Sequence, residues 1–285
     1  MRLEGVVCCV NMADYLADTL PLNLRHFDRL VVVTAPEDVE TQRLCRYYDV
    51  PHLQTDVFRS RWAEFHKACG INKGLQALRQ DDWVLHMDAD IVLPPRTREL
   101  IERANLDKGK LYGCDRFNVP GYDAWRQHQA MPALQQDNYH VNLDVFPLAP
   151  RFSGERMGGY APPGFLQLWS GTTGRNLRYP EEHSDASRTD VLFTANWFRS
   201  GREMLPEFVA YHLAAAQETQ GIDWGGRVSR RWGPQPNYDH HHPFHHRDPP
   251  HHHEHHHPDG RWHHHYHHPC PPPWPYGEGP EQEQS

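Results

Sequence analysis

Long hydrophobic runs and C-x-x-C pairs of cysteines are both missing from this sequence. The first apolar run, Val6 to Val10, is too short for a signal peptide or a membrane span. The six cysteines include no C-x-x-C pair, and several lie in apolar runs, which is typical of reduced, buried thiols. From these absences we expect a soluble, cytoplasmic protein with no transmembrane segment.

Positive charge is also scarce. The chain has 29 Lys and Arg residues against 37 Asp and Glu residues, which gives a formal net charge of -8 at pH 7. Proteins whose main partner is a nucleic acid normally carry a basic patch or stripe. The charge balance therefore argues against nucleic acid as a partner.

Aliphatic residues become rare in the last part of the chain. Most of the 24 histidines lie between His240 and His268, among prolines, and the C-terminus is Pro-rich and acidic. Such a composition cannot form a hydrophobic core. We therefore predict one domain over residues 1–235 and a disordered tail over residues 236–285. Histidine-rich tracts can bind Zn²⁺ or Ni²⁺, although a solvated low-complexity tail with incidental metal affinity explains the composition equally simply.

Short apolar runs alternate with helical patterns over the first half of the chain. Buried strands are predicted at Gly5–Asn11, Leu30–Thr34 and Trp83–Met87. Between the last two, residues 65–78 carry apolar side chains at helical spacing. This alternation predicts an α/β fold with a mostly parallel central sheet and helices on both faces. Ligands bind such sheets at the carboxyl ends of the strands.

The second half of the chain is less regular. Residues 118–162 are rich in Pro, Gly, Gln and Tyr and are predicted to be loops. A strand follows at Gly164–Trp169, then a helix at Ser187–Ser200 with Val191, Phe193 and Phe198 turned inward, and a short strand at Glu207–Leu213.

Two carboxylates, Asp88 and Asp90, stand at the end of the strand that begins at Trp83. On an extended chain, side chains at i and i+2 point to the same side. A pair of acids next to an apolar strand is costly unless a cation lies between them. A divalent ion such as Mg²⁺ or Mn²⁺, shared with nucleotide phosphates, is the candidate. The alternative is a solvated turn, because D-x-D alone is common.

The order of these patterns resembles the glycosyltransferases of the GT-A fold, close to family 2 and its small bacterial and phage relatives. The resemblance is carried by the opening strand and loop at residues 6–16, the second strand at 31–38, the helix at 65–75 and the D-x-D strand at 83–94. It implies a Rossmann-like fold with a nucleotide-sugar-binding half at residues 1–115 and an acceptor-side half at residues 116–235.

The resemblance also implies the chemistry. A metal-dependent enzyme of this kind moves a sugar from a nucleoside diphosphate donor, here expected to be a UDP-sugar, to a glycan or other hydroxyl acceptor. Mn²⁺ or Mg²⁺ would be held directly by Asp90 and by His212 as a late third ligand, with Asp88 bridging to the metal through water or contacting the ribose. A buried core histidine is the alternative interpretation of His212.

The expected donor contacts lie in the first half of the chain. They are Asn11, Thr34, Asp38, Asp56, Lys67, Asn72 and Asp88. Thr34, Asp38 and Asp56 are expected at the uridine and ribose, and Lys67 at the diphosphate. Asp38 is equally well explained as a helix N-cap, and Lys73 as a solvated lysine on the same helix as Lys67.

The resemblance gives Asp190 as the catalytic base that takes the proton of the acceptor hydroxyl. Thr189 stands where many relatives have Glu, so Asp185, Glu181 and Glu182 remain rival bases. Gln167 and Trp169 are expected to line the acceptor pocket, with a core role for Trp169 as the alternative. Gly226–Arg227 is a candidate closing loop over the diphosphate.

Two other classes of function remain open. A metal-dependent nucleotidyltransferase also uses an acidic pair on an α/β sheet, but it normally shows a Gly-rich phosphate loop after the first strand. The stretch Asn11–Tyr15 contains no glycine. A non-catalytic metal-binding protein built around the histidine tract would explain the tail but not the first 230 residues.

Overall fold

Strands and helices alternate along the chain as the apolar pattern predicted. The computed structural model describes residues 1–62, 65–130, 151–152, 155–156, 159–175, 177–182, 186 and 189–214. The strands are β1 Leu3–Cys8, β2 Arg29–Thr34, β3 His52–Gln54, β4 Trp83–Asp88, β5 Ile91–Val92, β6 Leu111–Pro120, β7 Arg151–Phe152, β8 Glu155–Arg156, β9 Gly159–Tyr160, β10 Leu166–Ser170 and β11 Arg202–Ala214.

The helices lie mainly between the strands of the first half. They are α1 Ala13–Asn23, α2 Val39–Tyr47, α3 Lys67–Gln76, α4 Thr97–Arg103, α5 Tyr122–Gln129, α6 Gly171–Gly174 and α7 Thr189–Thr194. Short 3-10 turns occupy Leu24–His26, Val57–Trp62 and Arg199–Gly201. No helix in these described residues is long and apolar enough to span a membrane.

One nine-stranded sheet organises the described part of the chain. Its strand order is β3-β2-β1-β4-β10-β6-β11-β5, with β7 paired to β6. The strands β1 to β4 pair in parallel, as do β6 and β11, whereas β10 runs antiparallel to both β4 and β6. The α/β fold class that the GT-A resemblance implied, with a mostly parallel central sheet, is confirmed.

Alternate side chains of β1 feed two separate hydrophobic cores, because successive residues of a strand point to opposite faces of the sheet. Leu3 and Val7 pack with side chains of α1, α2 and α4 on one face. Val6 and Cys8 pack with side chains of α3 and α7 on the other. Helices therefore cover both faces, as predicted.

Helix α3 lies unusually close to the sheet because it presents two glycines to it. A Cβ atom on Gly74 would lie 2.3 Å from Val6 Cγ2 and 2.9 Å from Val33 Cγ2, and one on Gly70 would lie 2.2 Å from the Phe58 ring. Any larger side chain would push the helix away. This contact fixes the position of Lys67, the first residue of α3.

The helix predicted at Ser187–Ser200 is shorter in the structure. Among the described residues it ends at Thr194, and Phe198 is 90% exposed rather than turned inward. Side chains add hydrogen bonds at and after this end: Asn196 Nδ2 donates to Phe193 O (2.9 Å), which also accepts from Asn196 N (3.2 Å), and Arg202 Nη2 donates to Trp197 O (2.8 Å). These bonds help to satisfy the carbonyls that the end of the helix leaves without intrahelical donors.

Two other predictions in the second half are corrected. Part of the predicted loop region is regular, because β6 continues to Pro120 and α5 follows at Tyr122–Gln129. The last strand is also longer than predicted: β11 starts at Arg202, and its pairing with β6 shifts register between Met204 and Val209. The positive φ of 56° at Glu207 lies within this irregularity.

Several predicted features lie outside the described residues. These are Asp185, the Gly226–Arg227 loop and the whole histidine-rich tail. The division into a domain at residues 1–235 and a tail at 236–285 stays a prediction.

We expect Gly74→Ala to destabilise the fold, because its new methyl group would collide with two buried valines on strands that cannot move apart. Overpacking outweighs the better helix propensity of alanine, so the free energy of unfolding should fall by about 1–2 kcal/mol. Urea unfolding measures this. The exposed neighbour offers a matched control, Lys73→Ala, which should unfold like the unmodified chain. An unchanged midpoint for Gly74→Ala would contradict the close approach of α3.

Candidate functional site

Asp88 and Asp90 lie at the carboxyl edge of β4, where their backbone is fixed on two sides. Asp88 N donates to Phe165 O (3.0 Å), just before β10, and Asp90 O accepts from Leu213 N (2.8 Å) on β11. The side chain of Asp88 is 31% exposed and that of Asp90 is 14% exposed. The acid pair therefore faces a partly open cleft at the edge where α/β sheets bind ligands.

Lys67 is the direct partner of Asp88. Its Nζ atom lies 2.5 Å from Asp88 Oδ1, and its side chain is only 14% exposed. Burial raises the pKa of Asp88; Lys67 opposes this rise, and repulsion from Asp90 adds to it. Burial alone would lower the pKa of Lys67, but attraction to Asp88 outweighs it and the pKa is raised. We take the lysine to be charged, since its carboxylate partner is in contact.

His212 is the direct partner of Asp90, as the resemblance implied it would be near the acid pair. His212 Nε2 lies 3.2 Å from Asp90 Oδ2. Burial would raise the pKa of Asp90, but His212 and then Arg116 outweigh burial, and the net shift is downward. The other oxygen, Asp90 Oδ1, is buried without a hydrogen-bond partner in the described part of the protein.

Asn118 orients the His212 ring. Its Oδ1 atom lies 2.9 Å from His212 Nδ1, and both side chains are buried. An amide oxygen only accepts, so Nδ1 carries a proton toward Asn118 and Nε2 faces the carboxylate of Asp90. A metal cation bound at Nε2 would make this contact favourable.

The donor atoms of this cluster suit a divalent cation, although they do not surround a common point in the structure. Among the described residues, no group of three or more His, Cys, Asp or Glu side chains is arranged to hold a metal. Asp88 is turned to Lys67, while Asp90 and His212 face each other. Carboxylate oxygens with one imidazole nitrogen are acceptable ligands for Mn²⁺, and Asp90 Oδ1 lacks a partner. The assignment of Asp88, Asp90 and His212 to a metal stays a prediction.

Arg116 is a buried cation of the site that sequence reasoning missed. It lies on β6, with its guanidinium carbon 4.6 Å from the centre of the Phe165 ring. It contributes to lowering the pKa of Asp90. Arg116 and Asn118 are two residues apart on one strand and so share a face. Polar residues at alternate positions of a strand were the sequence signal that could have identified Arg116. The signal was missed because the predicted loop began at residue 118.

Asn72, predicted to contact the nucleotide, is engaged elsewhere. Its Oδ1 accepts from Tyr179 N (2.9 Å), while its Nδ2 donates to Tyr179 O (2.8 Å) and to Glu181 Oε1 (2.7 Å). The amide therefore clamps the segment after α6 against α3. We assign Asn72 a positioning role.

Asp38 ties the first two strand-to-helix loops together. Its carboxylate caps α2 by accepting from Thr41 N (3.1 Å), and it also accepts from Asn11 N (2.7 Å) and from the Thr34 hydroxyl (3.2 Å). The N-cap interpretation of Asp38 is confirmed. Thr34 and Asp38 are both buried, so their contribution to nucleotide binding would be through the shape of these loops.

The remaining predicted donor contacts are more open. Asn11 has a positive φ of 57° and lines a cleft of about 480 Å³ between α1 and α2. Asp56 is exposed, where β3 leads into the 3-10 turn at Val57. Contact of either residue with a nucleotide stays a prediction.

Asp190, the predicted base, lies in the first turn of α7 and is half-buried. Its Oδ2 accepts from Gly164 N (2.7 Å) and its Oδ1 from Val191 N (2.8 Å). A Cβ atom on Gly164 would lie 2.7 Å from Asp190 Cβ, so only glycine permits this approach. Attraction to Asp190 also contributes to the raised pKa of Lys67. The carboxylate therefore acts electrostatically on the lysine that pairs with Asp88, and its role as a base stays a prediction.

The other residues predicted for the acceptor side differ in their exposure to solvent. Gln167 and Trp169 are fully buried, with Gln167 Oε1 accepting from the Tyr179 hydroxyl (2.6 Å) and Trp169 packed edge-on to Phe193. The core interpretation of Trp169 therefore describes it better than the pocket interpretation. Glu181 and Glu182, two of the rival bases, are exposed.

The clamp predicts that Asn72→Ala will lower the free energy of unfolding by about 2–3 kcal/mol, because it leaves the buried N–H and C=O of Tyr179 without partners. A nucleotide-contacting side chain would show little effect on the unliganded protein. Urea unfolding of the unliganded variant distinguishes a clamp on Tyr179 from a nucleotide-contacting side chain. Glu181→Gln keeps a group that can accept from Asn72 and should stay within about 0.5 kcal/mol of the unmodified chain. Equal free energies of unfolding for Asn72→Ala and the unmodified chain would show that Asn72 does not act as a clamp.

Neither a protein family model nor a curated protein matches the sequence. Among solved structures, glucosyl-3-phosphoglycerate synthase from Mycobacterium tuberculosis is similar over 78% of this chain and 74% of its own, with 12% identity and a TM-score of 0.44. Its complex with Mn²⁺, UDP and phosphoglyceric acid is similar over 74% and 69%, with 13% identity and a TM-score of 0.42.

A nucleotidyl transferase from Methanothermobacter is similar over 76% of this chain and 88% of its own, with 11% identity and a TM-score of 0.39. Similarities this weak do not distinguish a sugar transferase from a nucleotidyltransferase. The function is therefore inferred from the residues of this chain.

Proposed function

We propose that this chain transfers a sugar from a nucleoside diphosphate donor, a UDP-sugar in the first instance, to a hydroxyl group of a glycan or other acceptor, with Mn²⁺ or Mg²⁺. One observation carries the proposal. Near the two carboxylates at the end of β4 lie the Lys67 ammonium of α3, the Arg116 guanidinium of β6 and the His212 imidazole of β11, and the buried Asp90 Oδ1 has no hydrogen-bond partner among the described residues.

The cationic groups suit the diphosphate of such a donor. Lys67 supplies a compact charge at the N-terminal end of α3, and Arg116 supplies a buried guanidinium from β6. Asp90 and His212 would hold the metal, with Asp88 beside them. When bound, the metal supplies Lewis-acid stabilisation of the negative charge that develops on the departing diphosphate.

Asp190, in the first turn of α7, would act as the base. The two backbone N–H groups that donate to its carboxylate hold it in one orientation. The acceptor hydroxyl would give its proton to this carboxylate as its oxygen attacks the sugar carbon. The same geometry would let Asp190 position an acceptor hydroxyl before reaction.

A thermal-shift panel tests the donor and the metal together. UDP-, GDP- and dTDP-sugars are added with and without Mn²⁺, and we expect one nucleotide class to raise the melting temperature only when Mn²⁺ is present. No shift with any nucleotide, for a folded sample, would contradict the proposal. Release of pyrophosphate from a nucleoside triphosphate and a sugar phosphate would instead identify a nucleotidyltransferase.

Asp90→Asn should abolish this Mn²⁺-dependent shift, because it removes the charge of the carboxylate that has an unpartnered oxygen. The unliganded variant should still unfold cooperatively. Asp49→Asn makes the same change at an exposed position whose φ of 54° suits asparagine, and it should keep the full shift. If Asp90→Asn keeps the shift as well, Asp90 is not a metal ligand.

Asp190→Asn should slow sugar transfer by about 10²- to 10⁴-fold while keeping the Mn²⁺-dependent thermal shift, because it removes the proton acceptor and not the donor site. The rate is measured as nucleoside diphosphate released in the presence of acceptor. Glu182→Gln, at an exposed rival base, should leave the rate unchanged. A fast Asp190→Asn enzyme would assign the base to another residue.

Removing the tail separates the transferase from a protein that works through its histidines. A chain ending at residue 238 should keep the Mn²⁺-dependent thermal shift, because every residue assigned to the site precedes residue 215. A shift that disappears with the tail, in a protein that still melts cooperatively, would favour the metal-binding alternative.

A further inference from the structure

The ammonium group of Lys67 lies where a metal cation would bind. It contacts Asp88 Oδ1 at 2.5 Å, and the side chains of both residues are largely shielded from water. The second acid has its own partner in His212. Each carboxylate of the pair therefore has one cationic or protonatable neighbour before any metal is present.

We propose that Lys67 is the exchangeable counter-ion of this site. It pairs with Asp88 while metal is absent, gives up the carboxylate when a divalent cation binds, and turns its ammonium to the diphosphate of the donor. Metal and nucleotide binding are thereby coupled through one lysine. This inference rests on the proposed function, because it takes the acid pair to be the metal site.

The first step follows from electrostatics. A divalent ion bound to Asp88 and Asp90 would lie within a few ångströms of the ammonium that contacts Asp88 Oδ1. An ammonium and a divalent cation cannot share that oxygen at contact distance, because like charges a few ångströms apart repel strongly where water is largely excluded. Displacing the lysine therefore opposes binding of the metal alone.

The second step follows from how rigidly α3 is held. Gly74 lies against Val6, and the Asn72 amide clamps the backbone of Tyr179. The backbone of α3 is thus fixed, and the displaced ammonium moves only as far as the flexible lysine stem allows. It remains beside the acid pair, where the diphosphate bound to the metal would place its negative charge.

The consequence is reciprocal coupling. A nucleotide that gives the displaced ammonium a new partner lowers the cost of metal binding, and the metal that displaces the ammonium makes it available to the nucleotide. Thermodynamic linkage requires that each ligand improve the affinity of the other by the same factor. Lys73 lies on the same helix but is exposed, and it forms no ion pair within the described residues.

Calorimetric titration of the full-length chain with Mn²⁺ alone tests the exchange. We expect Lys67→Met to bind Mn²⁺ about tenfold or more tightly than the unmodified chain, because the metal no longer has to break a charged hydrogen bond. Lys67→Arg keeps a competing cation and should not tighten binding. Lys73→Met should match the unmodified chain, and Asp90→Asn measures any Mn²⁺ taken up by the histidine-rich tail.

A second titration measures the coupling. UDP, and GDP in parallel, are titrated with and without saturating Mn²⁺. The factor by which Mn²⁺ improves nucleotide affinity should fall by about tenfold or more in Lys67→Met and stay unchanged in Lys73→Met. Thermal melting without ligands confirms that each variant is folded.

The outcomes separate this inference from the proposed function. Mn²⁺ affinity that is equal or weaker in a folded Lys67→Met protein overturns the exchange and leaves the metal site standing. Unchanged coupling in that variant overturns the exchange as well. If the unmodified chain binds no more Mn²⁺ than Asp90→Asn does, the metal site itself fails, and the proposed metal-dependent function fails with it.

Discussion

Two like charges at the end of a buried strand set the main constraint on this molecule. Asp88 ends an apolar strand and Asp90 lies in the turn that follows it, and both side chains are largely withdrawn from water. Such a pair is tolerated only where positive charge is brought to it. Lys67 and Arg116, from distant parts of the sequence, supply this charge, and His212 places a ring nitrogen 3.2 Å from Asp90 Oδ2. The convergence of three separate elements on one edge of the sheet is thus an electrostatic requirement as well as a feature of the fold.

Uncharged groups hold the side chains around the acid pair in place. The glycines of α3 let the helix lie against β1, which sets the height of Lys67 above the sheet edge. Asn118 selects the ring nitrogen of His212 that faces Asp90. Gly164 lets its own N–H reach Asp190. In each case a small or neutral residue fixes the position of a neighbouring side chain that does the chemistry. Its own effect on the chemistry is therefore indirect.

Local patterns predicted the strands and the acid pair, because apolar runs and i, i+2 spacing depend only on neighbouring residues. The direction of β10 and the roles of Arg116 and Asn118 depend on which strands become neighbours, and no local pattern contains that information. The hydrogen bonds of Asn72 and Gln167 depend on the fold in the same way. Their amides bond to Tyr179, more than ten residues away in either case, so polar side chains that sequence alone suggests for a ligand serve the protein itself.

The reversed direction of β10 divides the site between two regions of the chain. Because β10 runs antiparallel to β4, the residues just before it, Gly164 and Phe165, reach the same edge as the residues just after β1 and β4. One side of this edge is therefore built by chain leaving the sheet, and the other by chain entering it. Changes of length or composition in the segment that leads into β10 can thus alter one side of the edge without disturbing the loops that follow β1, β2 and β4.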